Sequence, residues 1–189
     1  MKKVIADVGA HYDLLIEENN DPVRDPVVLQ EYMDSWDGRR FLEMLELDPS
    51  KSVLEIGVGT GRLAVRTAPC CRHLTGIDMS EKTIERAREN LREYPEISLI
   101  CGDFLTHSFS ETFDVIYSSL TMMHFPDKAL VIGKMSSLLN DDGILCISID
   151  YRPKRVDRHG KSEGSDLSGY TGGNRYNCRT GGIENETSA

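Results

Sequence analysis

Three carboxylates, Glu55, Asp78 and Asp103, each stand at or beside the end of a short apolar run. The runs 53–56, 73–78 and 97–101 read as buried strands. Gly57, Gly59 and Gly61 follow the first run at alternate positions, and Leu63, Ala64 and Val65 then open a helical pattern. Strand, glycine turn and helix make the first half of a βαβ unit. Glycine suits that turn because it reaches positive φ and lets a ligand approach the backbone closely. An acid at the tip of the second strand can accept both hydroxyls of a ribose, so Asp78 points to a nucleoside. Phe104, an aromatic, follows Asp103.

The glycine spacing separates two kinds of nucleotide site. A dinucleotide fingerprint needs G-x-G-x-x-G. Its third glycine would fall at position 62, which is Arg62, and the glycine comes one residue early at Gly61. Pyrophosphate would also sit poorly beside Glu55, whereas a ligand with a positive centre would tolerate it. The E-x-G-x-G-x-G run therefore resembles motif I of the class I S-adenosylmethionine-dependent methyltransferases, and the resemblance extends over residues 53–150. It is nearest to the small bacterial enzymes that act on small molecules. It implies a Rossmann-like α/β fold, a doubly wound and mostly parallel sheet. It implies S-adenosylmethionine as cofactor, with Glu55 and the 57–61 turn at the methionine portion, Asp78 at the ribose, Asp103 and Phe104 at the adenine, and Met79 as a further cofactor-binding residue. Ser118 and Ser119 would line the cleft beside the methyl group. The reaction implied is methyl transfer to a small-molecule O, N, S or C nucleophile by in-line displacement, with no metal. The N/D-P-P-Y run that relatives use for planar amides or bases is absent; Ser118-Ser119-Leu120-Thr121 stands instead.

His124 is the histidine of the loop after the fourth strand. Its ordinary pKa of ~6.5 suits a general base, though packing alone would also account for it. Two other functions stay open: a cofactor-binding protein without turnover, and a nicotinamide-dependent oxidoreductase, which the glycine spacing disfavours.

The elements must hold these groups together. Residues 1–51 read as an N-terminal helical cap, with a helix near 8–15, turns at Asn19–Pro22 and at Asp25-Pro26, and a helical pattern over 27–47 interrupted at Gly38. Tyr12, Tyr32 and Trp36 are its candidates to touch ligand, or else to pack the cap on the sheet. Residues 52–150 form the cofactor-binding core. Its helices are expected over 62–70, after Ser80 as N-cap, and over 127–139. Its fourth strand is expected at 113–119, a turn at 140–143, and a fifth strand over 144–149 that ends at Asp150. Residues 151–189 are polar and glycine-rich, without apolar period. They are expected to be poorly ordered and not to supply the two further strands of the resembling family. The edge of the fifth strand would then be open, and open edges invite pairing, so a homodimer through that edge is expected.

Composition narrows the partners. A chain of 189 residues can bury a core as one domain. A net charge of -9 argues against nucleic acid or an anionic membrane surface. Asp7 and His11 interrupt any signal-like apolar run, and no stretch approaches a membrane span. A soluble, cytoplasmic protein with a small-molecule substrate is expected. Five cysteines without a leader argue against a disulfide framework. Cys101 and Cys146 are expected to be buried.

Overall fold

The computed structural model describes the backbone of residues 2–148 and 177–180, and side chains from residue 8 to 148. Strands β1 (Ser52–Ile56), β2 (His73–Asp78), β3 (Ile97–Cys101), β4 (Phe113–Ser119), β5 (Leu139–Ser148) and β6 (Asn177–Thr180) form one sheet in the order β3-β2-β1-β4-β5-β6. The first five pair in parallel and β6 pairs antiparallel to β5. This is the doubly wound, mostly parallel Rossmann-like sheet expected. The chain leaves β1 toward β2 on one side and returns to β4 on the other. The reversal between β1 and β4 is the switch point beyond which ligands bind in such sheets.

Alternation along β1 sends residues to two cores. Val53 packs with Phe41, Leu45, Leu63, Leu74, Ile84 and Tyr117 on one face. Leu54 and Ile56 pack with Ile77, Phe104, Phe113, Ile116, Val131 and Met135 on the other. Both faces are covered, as a parallel sheet requires. Helix α5 (Glu81–Asn90) presents Ile84 and Ala87 to the first core, and its N-cap is Ser80, whose side chain accepts from the Thr83 N–H. Helix α6 (Lys128–Ser137) covers the second core with Val131 and Met135, capped by Asp127. Between β1 and β2 the helix is short: α4 (Ala64–Thr67) passes at once into a 3₁₀ turn over Ala68–Cys70 that contains Pro69, so the expected helix over 62–70 is only partly α-helical.

The N-terminal helices are α1 (Lys2–Glu17), α2 (Val27–Asp37) and α3 (Arg39–Glu43), with Gly38 separating the last two as expected. Aspartates anchor them to the core. Asp13 accepts from Ser80 Oγ at 2.6 Å and from the Lys82 N–H at 3.2 Å. Asp21, buried, accepts from Asn90 Nδ2 and Arg86 Nη1. Asn90 also donates to the Thr60 carbonyl, so the clasp reaches the glycine turn.

Three expectations are corrected. Residues 140–143 are not a free turn before β5; they fall within it as an irregularity in the β4 pairing, with Asp142 at positive φ. Cys101 is exposed, because it ends the edge strand β3 on its outward side, whereas Cys146 is buried. The stretch 151–189 does supply a strand: β6 pairs with β5 opposite residues 144–147, so that part of the edge is not open. The rest of the 151–189 stretch, and the expected strand end at Asp150, lie outside the described residues.

Candidate active site

The glycine turn is built by its backbone. Gly57, Gly59 and Gly61 all have positive φ, which side chains rarely adopt. A Cβ on Gly57 would collide with Thr121, and one on Gly61 would come within 2.9 Å of Leu91 Cδ1. A Cβ on Gly59 would meet nothing within 4 Å. The turn is thus closed against protein at its ends and open at its middle.

That open side faces a cleft of about 270 Å³ at the carboxyl ends of β1 to β4. Glu55, Gly57, Gly59, Asp78, Met79, Asp103, Phe104, Ser119, Tyr12 and His124 all line it. Four residues named from sequence do not. Gly61 is buried against Leu91 of the α5 region. Ser118 turns inward and donates from Oγ to the Ile56 carbonyl at 2.9 Å. Tyr32 is largely exposed on α2 and Trp36 is half-buried, while Met33 takes the lining position on that helix.

The carboxylates differ in setting. The parallel register places Glu55 beside Tyr117 on one side and Gly76 on the other. Glu55 is almost wholly buried, and burial pushes its carboxyl up to about 8 against the pull of the Tyr117 hydrogen bond. Asp78 accepts from the Gly59 N–H at 3.0 Å and the Ser80 N–H at 3.1 Å. Burial raises its pKa, and those backbone donors partly offset the rise. Asp103 accepts from the Leu105 N–H at 2.9 Å. Phe104 is buried, with Lys134 Nζ 5.1 Å from its ring centre.

Across the cleft, Tyr12 Oη and His124 Nε2 are hydrogen-bonded at 2.9 Å, with their rings edge to face. Burial lowers the His124 pKa, and nearby Asp78 opposes the shift. Tyr12 comes from α1 and His124 from the 3₁₀ turn Met122–His124, so the pair joins the cap to the loop after β4.

Sequence reasoning missed a second network. Asp37, wholly buried at the end of α2, accepts from Arg62 Nη2 and from Ser119 Oγ. Arg62 Nη1 also lies 3.5 Å from Asp34 Oδ1. In the sequence Arg62 stands out only by occupying the position where a dinucleotide fingerprint needs glycine.

The methyltransferase-domain family model matches residues 47–175, more than half of the chain. The chain belongs to the methyltransferase domain family. Among curated relatives of this methyltransferase chain, it is 27% identical over 111 residues to nodulation protein S of Sinorhizobium fredii, covering 57% of this chain and 51% of that protein. It is 34% identical over 118 residues to an uncharacterized methyltransferase of Anoxybacillus flavithermus, covering 60% of this chain and 54% of that one. The chain spans about half the length of these relatives. The crystal structure of the N-methyltransferase NodS from Bradyrhizobium japonicum, in complex with S-adenosylhomocysteine, superposes with a TM-score of 0.52 at 29% identity, over 57% of this chain and 59% of that chain. The cofactor of the family is S-adenosylmethionine. The residues present fit it: an open glycine at the turn's centre, a carboxylate at the tip of β2, and another past β3. Among the described residues no helix is long and apolar enough to cross a membrane.

Proposed function

We propose that this chain is an S-adenosylmethionine-dependent methyltransferase whose acceptor is a small-molecule amine or hydroxyl, with His124 as general base. The observation that carries the reading is the Tyr12–His124 pair on the wall of the cleft that Glu55, Asp78 and Asp103 share.

The cofactor, when bound, supplies a methyl group on a sulfonium. The protein's task is to orient and to handle a proton. Gly59 leaves room for the ligand against the backbone, Asp78 offers its carboxylate to the ribose, and Asp103 with Phe104 takes the base. Glu55 stands beside the turn with its carboxyl pushed up by burial to about 8. His124 is biased toward its neutral form by burial, which leaves a ring nitrogen able to take a proton from the acceptor. Tyr12 fixes the ring through Nε2. The cap helix α1 and residues Pro22 and Met33 line the cleft, and a ligand seated beneath them would be shielded from water. Fixing the reactants in this way can lower a barrier by ~7–11 kcal/mol.

Two relatives support a nitrogen acceptor by their names: NodS is an N-methyltransferase, and a second superposed structure, at 26% identity and a TM-score of 0.53 over 57% of this chain and 33% of that one, is coclaurine N-methyltransferase. Cofactor binding without turnover is the second reading, and one experiment separates the two. The test is transfer of a labelled methyl group from S-adenosylmethionine to a panel of amines, phenols and thiols. Transfer to amines that is lost in His124→Ala supports the reading. S-Adenosylhomocysteine binding with no transfer to any member overturns it.

A further inference from the structure

Ser119 stands at the tip of β4 and lines the cleft. Its hydroxyl carries one hydrogen, which it donates to Asp37 Oδ2, the oxygen that also takes the Arg62 Nη2 donor. A carboxylate only accepts, so the direction of the serine's bond is fixed. Asp37 is wholly buried, which keeps water from taking the place of that hydrogen. Among the described residues no group donates to Ser119 Oγ in return. The serine therefore shows the cleft an oxygen that accepts and does not donate.

Sheet order sets what this oxygen serves. The ends of β3, β2 and β1 carry the groups assigned to the base, the ribose and the methionine end, and β4 is the next strand. A cofactor laid across those ends leaves the tip of β4 to the acceptor. Acceptors differ at the moment of attack. A primary or secondary amine that has given one proton to His124 still carries an N–H bond. That bond becomes a stronger donor as the nitrogen takes on positive charge. A tertiary amine has no hydrogen to offer once its lone pair is free. An alcohol or thiol that has given up its proton has none either, and its negative charge meets the serine's lone pairs. A contact that strengthens as charge develops lowers the barrier itself.

We infer that Ser119 selects the acceptor: its Oγ accepts an N–H of a primary or secondary amine while the nitrogen attacks. The nitrogen lone pair forms the N–C bond, the C–S bond breaks with its pair left on sulfur, and the positive charge passes to a nitrogen that keeps its N–H. The assignment rests on the methyltransferase reading and narrows its acceptor from amines and hydroxyls to amines that bear hydrogen.

Labelled-methyl transfer is measured over matched acceptors on phenethyl and hexyl bodies, each carrying a primary, secondary or tertiary amine, a hydroxyl or a thiol. The wild type is expected to turn over the primary and secondary amines with kcat/KM at least about 10-fold above the rest, the lower end for a hydrogen bond to a charged group. A smaller margin over the tertiary amine, the alcohol or the thiol overturns the assignment and leaves the methyltransferase reading standing. Ser119→Ala should lower kcat/KM for the amines about 10- to 100-fold and narrow their lead over the thiol by the same factor. Its S-adenosylhomocysteine affinity should stay within about twofold of the wild type, the margin within which a lost contact is negligible. Ser119→Thr keeps the hydroxyl and should keep the preference. An alanine variant with the amine preference intact overturns the assignment. So does one whose S-adenosylhomocysteine affinity falls beyond that margin, because the serine's oxygen then serves the cofactor's own ammonium group. The wild-type series decides alone if the alanine variant does not fold. Wild-type protein that transfers to no acceptor fails the methyltransferase reading itself, and this assignment with it.

Discussion

Tyr117 donates from Oη to Glu55 Oε2 at 2.7 Å, and both side chains are almost entirely shut off from solvent. Tyr117 Oη in turn lies 2.9 Å from Thr67 Oγ1. The pair is a product of register, since β1 and β4 align Glu55 with Tyr117 on one face of the sheet. It places an acid at the switch point with, among the described residues, a single hydrogen-bond donor and almost no exposure to solvent.

Glu55 therefore makes stability depend on pH in an unusual direction. Its ordinary value is 4.5, and burial raises it to about 8 in the folded chain. Between those values the folded protein holds a proton that the unfolded chain releases, so stability falls as pH rises from about 4.5 to about 8. Glu55→Gln removes this slope. Its melting temperature should exceed the wild type's at pH 8 by several degrees, with the gap closing toward pH 5. Scanning calorimetry at the two pH values checks this, and an equal gap at both would show that Glu55 is ionised throughout.

The Tyr12–His124 pair predicts the acid limb of the rate profile. A base must be neutral to work, and burial holds the His124 pKa below 6.5. Its rate should then rise with pH through a midpoint below 6.5 and be level at pH 7 and above. His124→Ala should lower kcat by about 10²- to 10⁴-fold and leave S-adenosylhomocysteine binding nearly unchanged. Tyr12→Phe should lower it less, because the ring stays in place when the bond to Nε2 is lost. A flat profile in the wild type below pH 6 would remove His124 from proton transfer.

Much of this was legible in the sequence, and the reason is periodicity. Strands buried on both faces read as continuous apolar runs, so β1, β2 and β4, and the acids near the ends of the first two, are legible from residue types alone. Ser80 and Asp127 sit where a capping side chain and a helix start coincide. What was illegible depended on contacts distant in sequence. Asp13, Asp21, Asp34 and Asp37 anchor the cap, yet in a chain with 31 acids each reads as turn chemistry or as a solvated surface. Ser118 and Ser119 could not be told apart by type. Alternation along β4 sends one to the Ile56 carbonyl and the other to the cleft. The strand β6 was missed because its four residues, Asn177 to Thr180, carry almost no apolar signal.

Asp78 supports the turn as well as the proposed ribose site. It holds the Gly59 and Ser80 N–H groups with its two oxygens. Asp78→Ala should weaken S-adenosylhomocysteine about 10- to 100-fold, the range for loss of charged hydrogen bonds. Asp78→Asn keeps one acceptor oxygen and should fall between. Titration calorimetry orders the three proteins. Equal affinity in wild type and alanine variant would place the ribose elsewhere.

The glycines of the turn should separate folding from binding. Gly57 and Gly59 both sit at positive φ, so alanine strains either, by about 1–2 kcal/mol. Their surroundings differ. A methyl at position 57 would strike Thr121, whose Oγ1 donates to the Ser119 carbonyl at 2.9 Å, so the loop after β4 would have to move. A methyl at position 59 would meet only the open cleft. Gly57→Ala should therefore lose more thermal stability than Gly59→Ala. Gly59→Ala should melt only a few degrees lower and still lose at least ~10-fold in affinity for S-adenosylhomocysteine, because the added carbon occupies ligand space. Melting curves and titrations on the two variants test both halves. If Gly59→Ala binds like the wild type, the ligand does not lie against the centre of the turn.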